Sequence, residues 1–217
     1  MRDALCAPSW LRPATRCHTH STLGRSLGWS LRKLSHMALA SIAASLFTIY
    51  ARTGQPYWVL LLAVFGALLI FFEHPHIGQR GIRIPGFWKL QKPFALGSTA
   101  WAVLGATLVF VTGGAGIAAK SVFLLGCVDG IAGLIGARHG TRALPHNPRK
   151  SWEGTVSGLF AGFVLSTFIW PHDLGIIYSM LLVLSLVESS CNAREDNFFC
   201  LLSSGMAGAL AMRLTSL

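Results

Sequence analysis

Long apolar segments recur along the chain, and they constrain its fold more than any other feature. Seven such segments are separated by short polar stretches, and they cover residues 34–50, 57–72, 94–112, 121–137, 154–170, 174–190 and 198–212. A helix needs about 20 apolar residues to cross about 30 Å of hydrocarbon, so several segments must extend into their loops or meet a thinned bilayer. Only 12% of the 217 residues are charged, whereas soluble domains average about 25%. We therefore predict an all-α polytopic membrane helix bundle with about seven transmembrane helices.

Basic residues are distributed unevenly between the two ends of these spans. Fifteen of the eighteen Lys and Arg residues lie on the side of the N-terminus, and the other side has only Arg52, Lys120 and Arg213. Because cytoplasmic loops carry an excess of Lys and Arg, this distribution predicts a cytoplasmic N-terminus. The net charge of +10 is then a consequence of orientation, so we expect the lipid bilayer as a partner and no nucleic acid.

Residues 1–33 differ from the rest of the chain. They contain five Arg, four Ser and one acid, and they lack the apolar core of a secretory signal. Either an organelle targeting segment or a basic tail lying on anionic headgroups fits this composition. Residues 34–217 are predicted to form one transmembrane domain, in an organelle membrane or a bacterial inner membrane.

One carboxylate lies inside an apolar segment. Asp129 is about eight residues into the fourth span, where an ionisable group costs at least about 2.5 kcal/mol unless it meets a partner, a cation or water. Such a residue is a functional candidate, and the alternative is an ion pair that only holds helices together. Glycines recur near it every three or four residues, so that one helix face stays open to another helix or a ligand; they are Gly126, Gly130, Gly133 and Gly136.

The next loop is basic, and a helix start follows it. Residues 138–150 contain six basic or histidine side chains and two prolines, so they cannot form one regular helix. Ser151 is a candidate N-cap for the fifth span, and Glu153 follows two residues later. Backbone donors at such a helix start, together with the basic residues, would hold a metal-bound polyphosphate. The alternative is a loop that only orients the protein in the membrane.

Two further polar clusters lie on the same predicted membrane face. Glu188 ends the sixth span, and Glu195, Asp196 and Asn197 begin the seventh; their oxygens are suited to Mg²⁺. Near the first span, "RKLSHM" brings Arg32, Lys33 and His36 onto adjacent turns. His36 could equally be an ordinary interfacial histidine. In contrast, "TGGAGIAAKS" at 112–121 lacks the second glycine of a phosphate-binding loop, so we interpret it as a small-residue turn between the third and fourth spans.

These motifs together resemble a known enzyme family. The run "LPHNPRKSWEGTVSG" after "DGIAGLIGARHG", with "RKLSHM" before them and "VES...EDN" after them, is similar to the CTP-dependent polyprenol kinases, which include phytol, farnesol and dolichol kinases. The resemblance extends from residue 32 to about residue 197. It implies a multi-helix membrane enzyme that transfers the terminal phosphoryl group of CTP to an isoprenoid alcohol with a divalent metal, expected to be Mg²⁺. That family is distantly similar to CDP-diacylglycerol synthases.

The resemblance also implies roles for individual residues. Catalytic roles fall to Asp129, Lys150 and Glu188; CTP phosphates would be held by Asn147, Arg149, Lys150 and Ser151, with support from Glu153. The metal ligands would be Asp129, Glu188, Asp196 and Asn197, and the substrate or phosphate would meet Arg32, Lys33 and His36. The site would face the cytoplasm or the stroma, and the acceptor would be phytol, geranylgeraniol or farnesol.

Other activities remain compatible with the same residues. A phosphatidate cytidylyltransferase-like enzyme, or a diacylglycerol or dolichol kinase, would use similar groups on CTP and a lipid. A polytopic anion transporter would need functional polar groups on both halves of the bilayer. The side opposite the N-terminus has few of these, which favours an enzyme.

Overall fold

The described part of the chain is helical. A computed structural model describes residues 22–73, 98–191 and 196–216. These ranges contain six helices, which are α1 (Thr22–Thr53), α2 (Tyr57–Glu73), α3 (Ser98–His139), α4 (Trp152–Ile169), α5 (Leu174–Ser190) and α6 (Asp196–Thr215). Within the described ranges, extended pairing is limited to one isolated bridge between Ala143 and Ser151. The all-α class is therefore confirmed, while Glu195 and most of the N-terminal tail lie outside the described residues.

The helices have the surface expected of a membrane protein. Four of them are long and apolar enough to cross a bilayer, namely 33–53 of α1 and the whole of α3, α4 and α6; α2 and α5 provide shorter apolar helices. Large apolar side chains point outward, with Phe160 67% and Phe168 82% exposed. In water such a surface would be an aggregation liability, and in a bilayer it meets lipid. The number of seven spans and the cytoplasmic N-terminus stay predictions.

Helix α3 folds back on itself at Gly114. Thr99 and Asp129 are thirty residues apart and line the same cavity, although a straight helix would separate them by about 45 Å. Gly114 has φ of 79° and ψ of 171°, between two helical arms, and glycine adopts this conformation without the steric cost of a side chain. The predicted third and fourth spans are thus the two arms of one helix. The predicted turn between them is reduced to this one glycine.

The glycine face around Asp129 contacts α1. A Cβ atom added to Gly126 would lie 2.5 Å from Ala40 Cβ, and one on Gly130 would lie 2.2 Å from Met37 Cγ. These close approaches explain the glycine spacing, because a larger residue would push the two helices apart. Gly133 continues the same face, where an added Cβ would lie 2.7 Å from Lys33 Cε.

Helix α4 packs on the other side of the same arm through a second glycine series. Cβ atoms on Gly154 and Gly158 would each lie 2.6 Å from a main-chain oxygen of α3, those of Ala132 and Val128 respectively. Backbone atoms cannot be displaced as a flexible side chain can, so these two glycines set the distance between α3 and α4.

The core and the polar groups occupy different parts of the bundle. Fully buried apolar side chains from α3, α5 and α6 meet in the middle, among them Leu124, Met180 and Leu201. At the opposite end from Asp129, Lys120 pairs with Asp173 at 3.0 Å. The packing therefore brings the second arm of α3, the start of α4 and the end of α5 together at one end of the bundle.

Candidate active site

Asp129 forms an ion pair with Lys33 of α1. The Lys33 ammonium nitrogen lies 2.6 Å and 2.7 Å from the two carboxylate oxygens of Asp129. Both side chains are largely shielded, at 14% and 25% exposure. The close contact of α1 with the glycine face makes this pairing possible, since Lys33 crosses α3 at Gly133, where there is no side chain. The predicted early basic motif and the predicted buried acid are therefore in contact.

Lys150 and Glu188 form a second ion pair. Their charged groups are 2.5 Å apart, and the Lys150 ammonium also donates to the main-chain oxygen of Glu188. Glu188 is only 7% exposed, and its Oε2 atom is buried without a hydrogen-bond partner. A buried carboxylate oxygen without a donor is costly. It is therefore available to a cation or to a donor from a bound substrate.

The loop that carries Lys150 is held in a defined shape. The Asn147 side chain is fully buried, and its amide donates to the main-chain oxygen of Ser189 at 2.9 Å, at the end of α5. Its side-chain oxygen accepts from the Arg149 amide at 3.3 Å. Asn147 thus fixes the loop against α5, and its predicted contact with a phosphate stays a prediction.

Ser151 and Glu153 complete this loop at the start of α4. The Ser151 hydroxyl accepts from the Gly154 amide at 3.2 Å, so the predicted N-cap is confirmed. The Glu153 carboxylate accepts from the Thr141 hydroxyl and, at 3.2 Å, from the Arg142 amide. Glu153 therefore supports the loop from the α4 side, and Thr141, which the sequence did not single out, is its partner.

The later acidic motif lies near this end of the bundle. An Asp196 carboxylate oxygen accepts from the Asn197 amide at 2.8 Å, and the Asn197 side chain donates to the Ser98 main-chain oxygen at 3.4 Å. In the described ranges, no three His, Cys, Asp or Glu side chains come together as a metal-ligand group. The three predicted carboxylate ligands Asp129, Glu188 and Asp196 therefore do not form such a group, and the roles of all four predicted ligands stay predictions.

A polar cleft joins the two ion pairs. Its volume is about 320 Å³, within the range of small-molecule sites. Its walls come from the second arm of α3, the following loop, the start of α4 and the end of α5. The charged residues that line it are Lys33, Asp129, Arg142, Arg149, Lys150 and Glu188. Four cationic side chains and two carboxylates therefore face one cleft beside a helix N-terminus.

A second, apolar cavity lies on the other side of Asp129. Its volume is about 360 Å³, and its walls are built from α1, α2, both arms of α3 and the start of α6. Its few polar side chains include His36, Asp129 and Asn197. Asp129 lines both spaces, so this residue lies at the boundary between a cationic cleft and an apolar cavity.

The structure separates the predicted residues into groups. Lys33, Asp129, Arg149, Lys150, Ser151 and Glu188 all line the cleft, whereas His36 and Asn197 line the apolar cavity. Arg32 belongs to α1, and its side chain is outside the described part. Sequence analysis did not identify Gly154 and Gly158 of α4 as a helix-packing face, although their spacing of four residues was visible. It also missed the apolar cavity, which no local pattern marks.

Curated relatives match part of this chain. "Probable phytol kinase 2, chloroplastic" of Glycine max is 34% identical over 73 residues, which is 28% of this chain and 25% of the relative. In Arabidopsis thaliana, "Phytol kinase 1, chloroplastic" is 30% identical over 98 residues and "Farnesol kinase, chloroplastic" is 31% identical over 96 residues. Each of these two matches covers 38% of this chain, and 32% and 31% of the respective relative.

The chain thus spans between a quarter and a third of the length of these relatives. No family profile and no solved structure matches it significantly. The matched relatives have the names that the sequence motifs predicted. The resemblance of this chain to the polyprenol kinases is therefore confirmed by phytol and farnesol kinases that are 30–34% identical over part of its length.

Proposed function

We propose that this protein is a membrane kinase that transfers the terminal phosphoryl group of CTP to an isoprenoid alcohol. The observation that carries the proposal is the position of Asp129, whose side chain lines both the cationic cleft and the apolar cavity. A lipid kinase must join a highly charged donor to an apolar acceptor, and one carboxylate between the two spaces can act on both. The relatives named phytol kinase and farnesol kinase support this acceptor class.

The cleft has the positive charges that binding a nucleoside triphosphate requires. Lys33, Lys150 and Arg149 line it, and fixed cations stabilise the charge that spreads over the transferred phosphoryl group. The start of α4 adds backbone donors and the positive end of a helix dipole. Ser151 caps this helix start and lines the cleft. The preference for cytidine rests on the sequence resemblance.

In the proposed reaction, the acceptor oxygen attacks the terminal phosphorus of CTP. The bond between that phosphorus and the oxygen bridging to the neighbouring phosphate breaks, and the products are CDP and the isoprenoid monophosphate. Asp129 orients the hydroxyl and accepts its proton, because this residue lines the cavity as well as the cleft. Lys150 and Arg149 stabilise the developing charge on the phosphoryl oxygens. Most of the rate acceleration then comes from holding the two substrates in line.

The donor set fits a magnesium ion shared with the nucleotide. Proteins usually bind Mg²⁺ through one or two carboxylates together with substrate phosphates. Asp129 and Glu188 both line the cleft, and the Oε2 atom of Glu188 is buried without a partner. Glu188 would hold the ion together with the phosphates, and the ion would neutralise phosphate charge. Lys150, the present partner of Glu188, would then be released toward the phosphates.

A phosphorylation assay tests the proposal. The protein is reconstituted in liposomes with Mg²⁺ and CTP labelled on its terminal phosphate, and it is offered phytol, geranylgeraniol, farnesol, dolichol or diacylglycerol. We expect label in an isoprenoid monophosphate, and at least a hundredfold less in Asp129→Asn, since positioned proton transfer contributes about 10²–10⁴-fold. Lys150→Ala tests the phosphate contacts in the same way.

The chain contains a matched control. Lys120→Ala and Asp173→Asn alter an ion pair at the opposite end of the bundle, so they should leave activity within about twofold of the unaltered protein. Equal labelling by Asp129→Asn and the unaltered protein would refute the mechanism. Pyrophosphate and a CDP-lipid as products would replace kinase activity with cytidylyl transfer. ATP and GTP labelled in the same position test the choice of nucleotide.

A further inference from the structure

The side chains that line the apolar cavity differ in size along its length. On α1, its walls are formed by His36, Ala40, Ala43 and Phe47, which recur on one helix face at intervals of three or four residues. On the first arm of α3, small residues again occupy the middle, at Ala102 and Ala106. Small side chains on facing helices leave space between them, so these alanines line open space in the middle of the cavity.

Aromatic rings lie at the far end. The ring centroids of Phe47 and Phe110 are 5.6 Å apart, and those of Tyr50 and Phe110 are also 5.6 Å apart. Phe47 and Phe110 line the cavity, whereas Tyr50 does not. Phe47 is only 8% exposed. The three rings therefore form a packed floor, with the polar residues His36, Asp129 and Asn197 at the other end.

Two helices give the same depth for this space. Phe47 follows His36 by eleven residues, and Phe110 follows Thr99 by eleven residues, so each helix advances about 16 Å from the polar end to the floor. An extended chain advances about 1.2 Å per backbone bond. The bonds from the oxygen to the chain end number about twelve in farnesol and sixteen in geranylgeraniol, giving about 14 Å and about 19 Å.

We propose that this cavity holds the hydrocarbon chain of the acceptor, and that Phe47 and Phe110 limit the chain length it accepts. This inference rests on the proposed kinase function. An extended fifteen-carbon alcohol matches the distance of about 16 Å between the level of His36 and Thr99 and the ring floor, whereas an extended twenty-carbon alcohol is about 3 Å longer than that distance. Phe47 and Phe110 are therefore specificity-determining residues that do not touch the reacting atoms.

The occupant is identified by the chemistry of the two ends. An isoprenoid alcohol has a single polar group at one terminus, and the cavity has its acid, imidazole and amide groups at one terminus. Asp129 connects that terminus directly to the cationic cleft. A diacylglycerol has two chains and two ester groups, for which the apolar walls of α1 and α3 offer few partners.

Chain-length profiles of floor variants test the inference. Phosphorylation rates are measured with geraniol, farnesol and geranylgeraniol for the unaltered protein, Phe110→Ala and Phe47→Leu. We expect the rate ratio of geranylgeraniol to farnesol to rise about tenfold or more in Phe110→Ala, because one misfit methylene in an apolar pocket changes rates by about 10–200-fold. Phe110→Trp should shift the preference toward geraniol. Phe110→Leu serves if the alanine variant does not fold.

Phe160→Ala is the matched control, because Phe160 is 67% exposed on α4 and is absent from the cavity lining. Its chain-length ratio should stay within about twofold of the unaltered protein. A second readout needs no catalysis: each alcohol is added without nucleotide, and the rise in unfolding temperature is compared between chain lengths.

The outcomes distinguish the two proposals. Phosphorylation with the same chain-length ratio in all floor variants would overturn the role of Phe47 and Phe110 and leave the kinase standing. No phosphorylation by any variant, with a chain-length-dependent thermal shift that Phe110→Ala moves to longer alcohols, would overturn the kinase and support the binding site. Neither phosphorylation nor a chain-length-dependent thermal shift would overturn both.

Discussion

Replacing Lys150 with methionine should destabilise the protein through the charge that it leaves behind. Glu188 is 7% exposed, and one of its oxygens already lacks a hydrogen-bond partner. Removing one member of a buried ion pair typically costs about 3–5 kcal/mol, because the remaining charge has no compensation. Lys150 is 21% exposed, so water can enter the space, and we expect the lower end, about 3 kcal/mol. For a chain of this size, that loss lowers the unfolding temperature by about 6–12 °C.

The reverse change should cost less. Glu188→Met leaves the more exposed ammonium of Lys150, which still donates to the main-chain oxygen of residue 188. We expect about 1–2 kcal/mol for this variant. The double variant Lys150→Met with Glu188→Met should regain most of the stability, because a buried ion pair replaced by apolar groups is often neutral. The coupling energy between the two positions should then be at least about 2 kcal/mol.

The unfolding temperatures of the unaltered protein, the two single variants and the double variant are measured in detergent by circular dichroism. Lys120→Met is the control, because its partner Asp173 is 39% exposed and can be solvated, so a loss below about 1 kcal/mol is expected. A double variant as unstable as the sum of the two single variants would refute the buried-charge explanation. Phosphorylation should be lost in the double variant even where stability returns, which separates the fold from the chemistry.

Three further predictions concern packing and the loop. Gly158→Ala adds a Cβ 2.6 Å from a main-chain oxygen, whereas the Cβ of Gly116→Ala meets nothing within 4 Å. The first variant should lower stability by about 1–3 kcal/mol, and the second should be neutral or raise stability by up to about 1 kcal/mol. Equal unfolding temperatures for the two variants would contradict the close helix contact at Gly158. Glu153→Gln weakens the acceptor for the Thr141 hydroxyl. The KM for the nucleotide should rise severalfold, while the unfolding temperature changes by only a few degrees. An unchanged KM would argue against the role of Glu153 in supporting the nucleotide loop. Asn147→Ala leaves the Ser189 main-chain oxygen without its donor, which should cost about 1–3 kcal/mol; an unfolding temperature equal to that of the unaltered protein would show that this anchor is dispensable.

The glycine face illustrates what could be predicted from sequence. Glycines spaced three and four residues apart must lie on one side of a helix, so the close approach of another element near Asp129 followed directly from the pattern. The pattern could not say which element would approach. That element is α1, and its contact with Gly130 and Gly133 is what brings Lys33 to Asp129.

The loop before α4 also contains one feature that was predictable from the sequence and one that was not. Ser151 was predicted as a helix cap because cap chemistry is local, and the structure has this hydrogen bond. The family resemblance implied a phosphate contact for Asn147, which stays a prediction, whereas its burial against the end of α5 could not be predicted. Its partner is more than forty residues away, and sequence spacing carries no information about such a contact.

The sequence by itself determined the helical and membrane character of this protein, the cap of α4, and the gathering of its basic and acidic motifs on one face, because each follows from local periodicity and hydropathy. Only the tertiary structure decided which lysine pairs with which acid, and that Asp129 separates a cationic cleft from an apolar cavity. The cavity is the space left between four helices, and the aromatic floor at Phe47 and Phe110 joins two of them. Such a space depends on the distances and rotations between helices, which the pattern of any single helix does not contain.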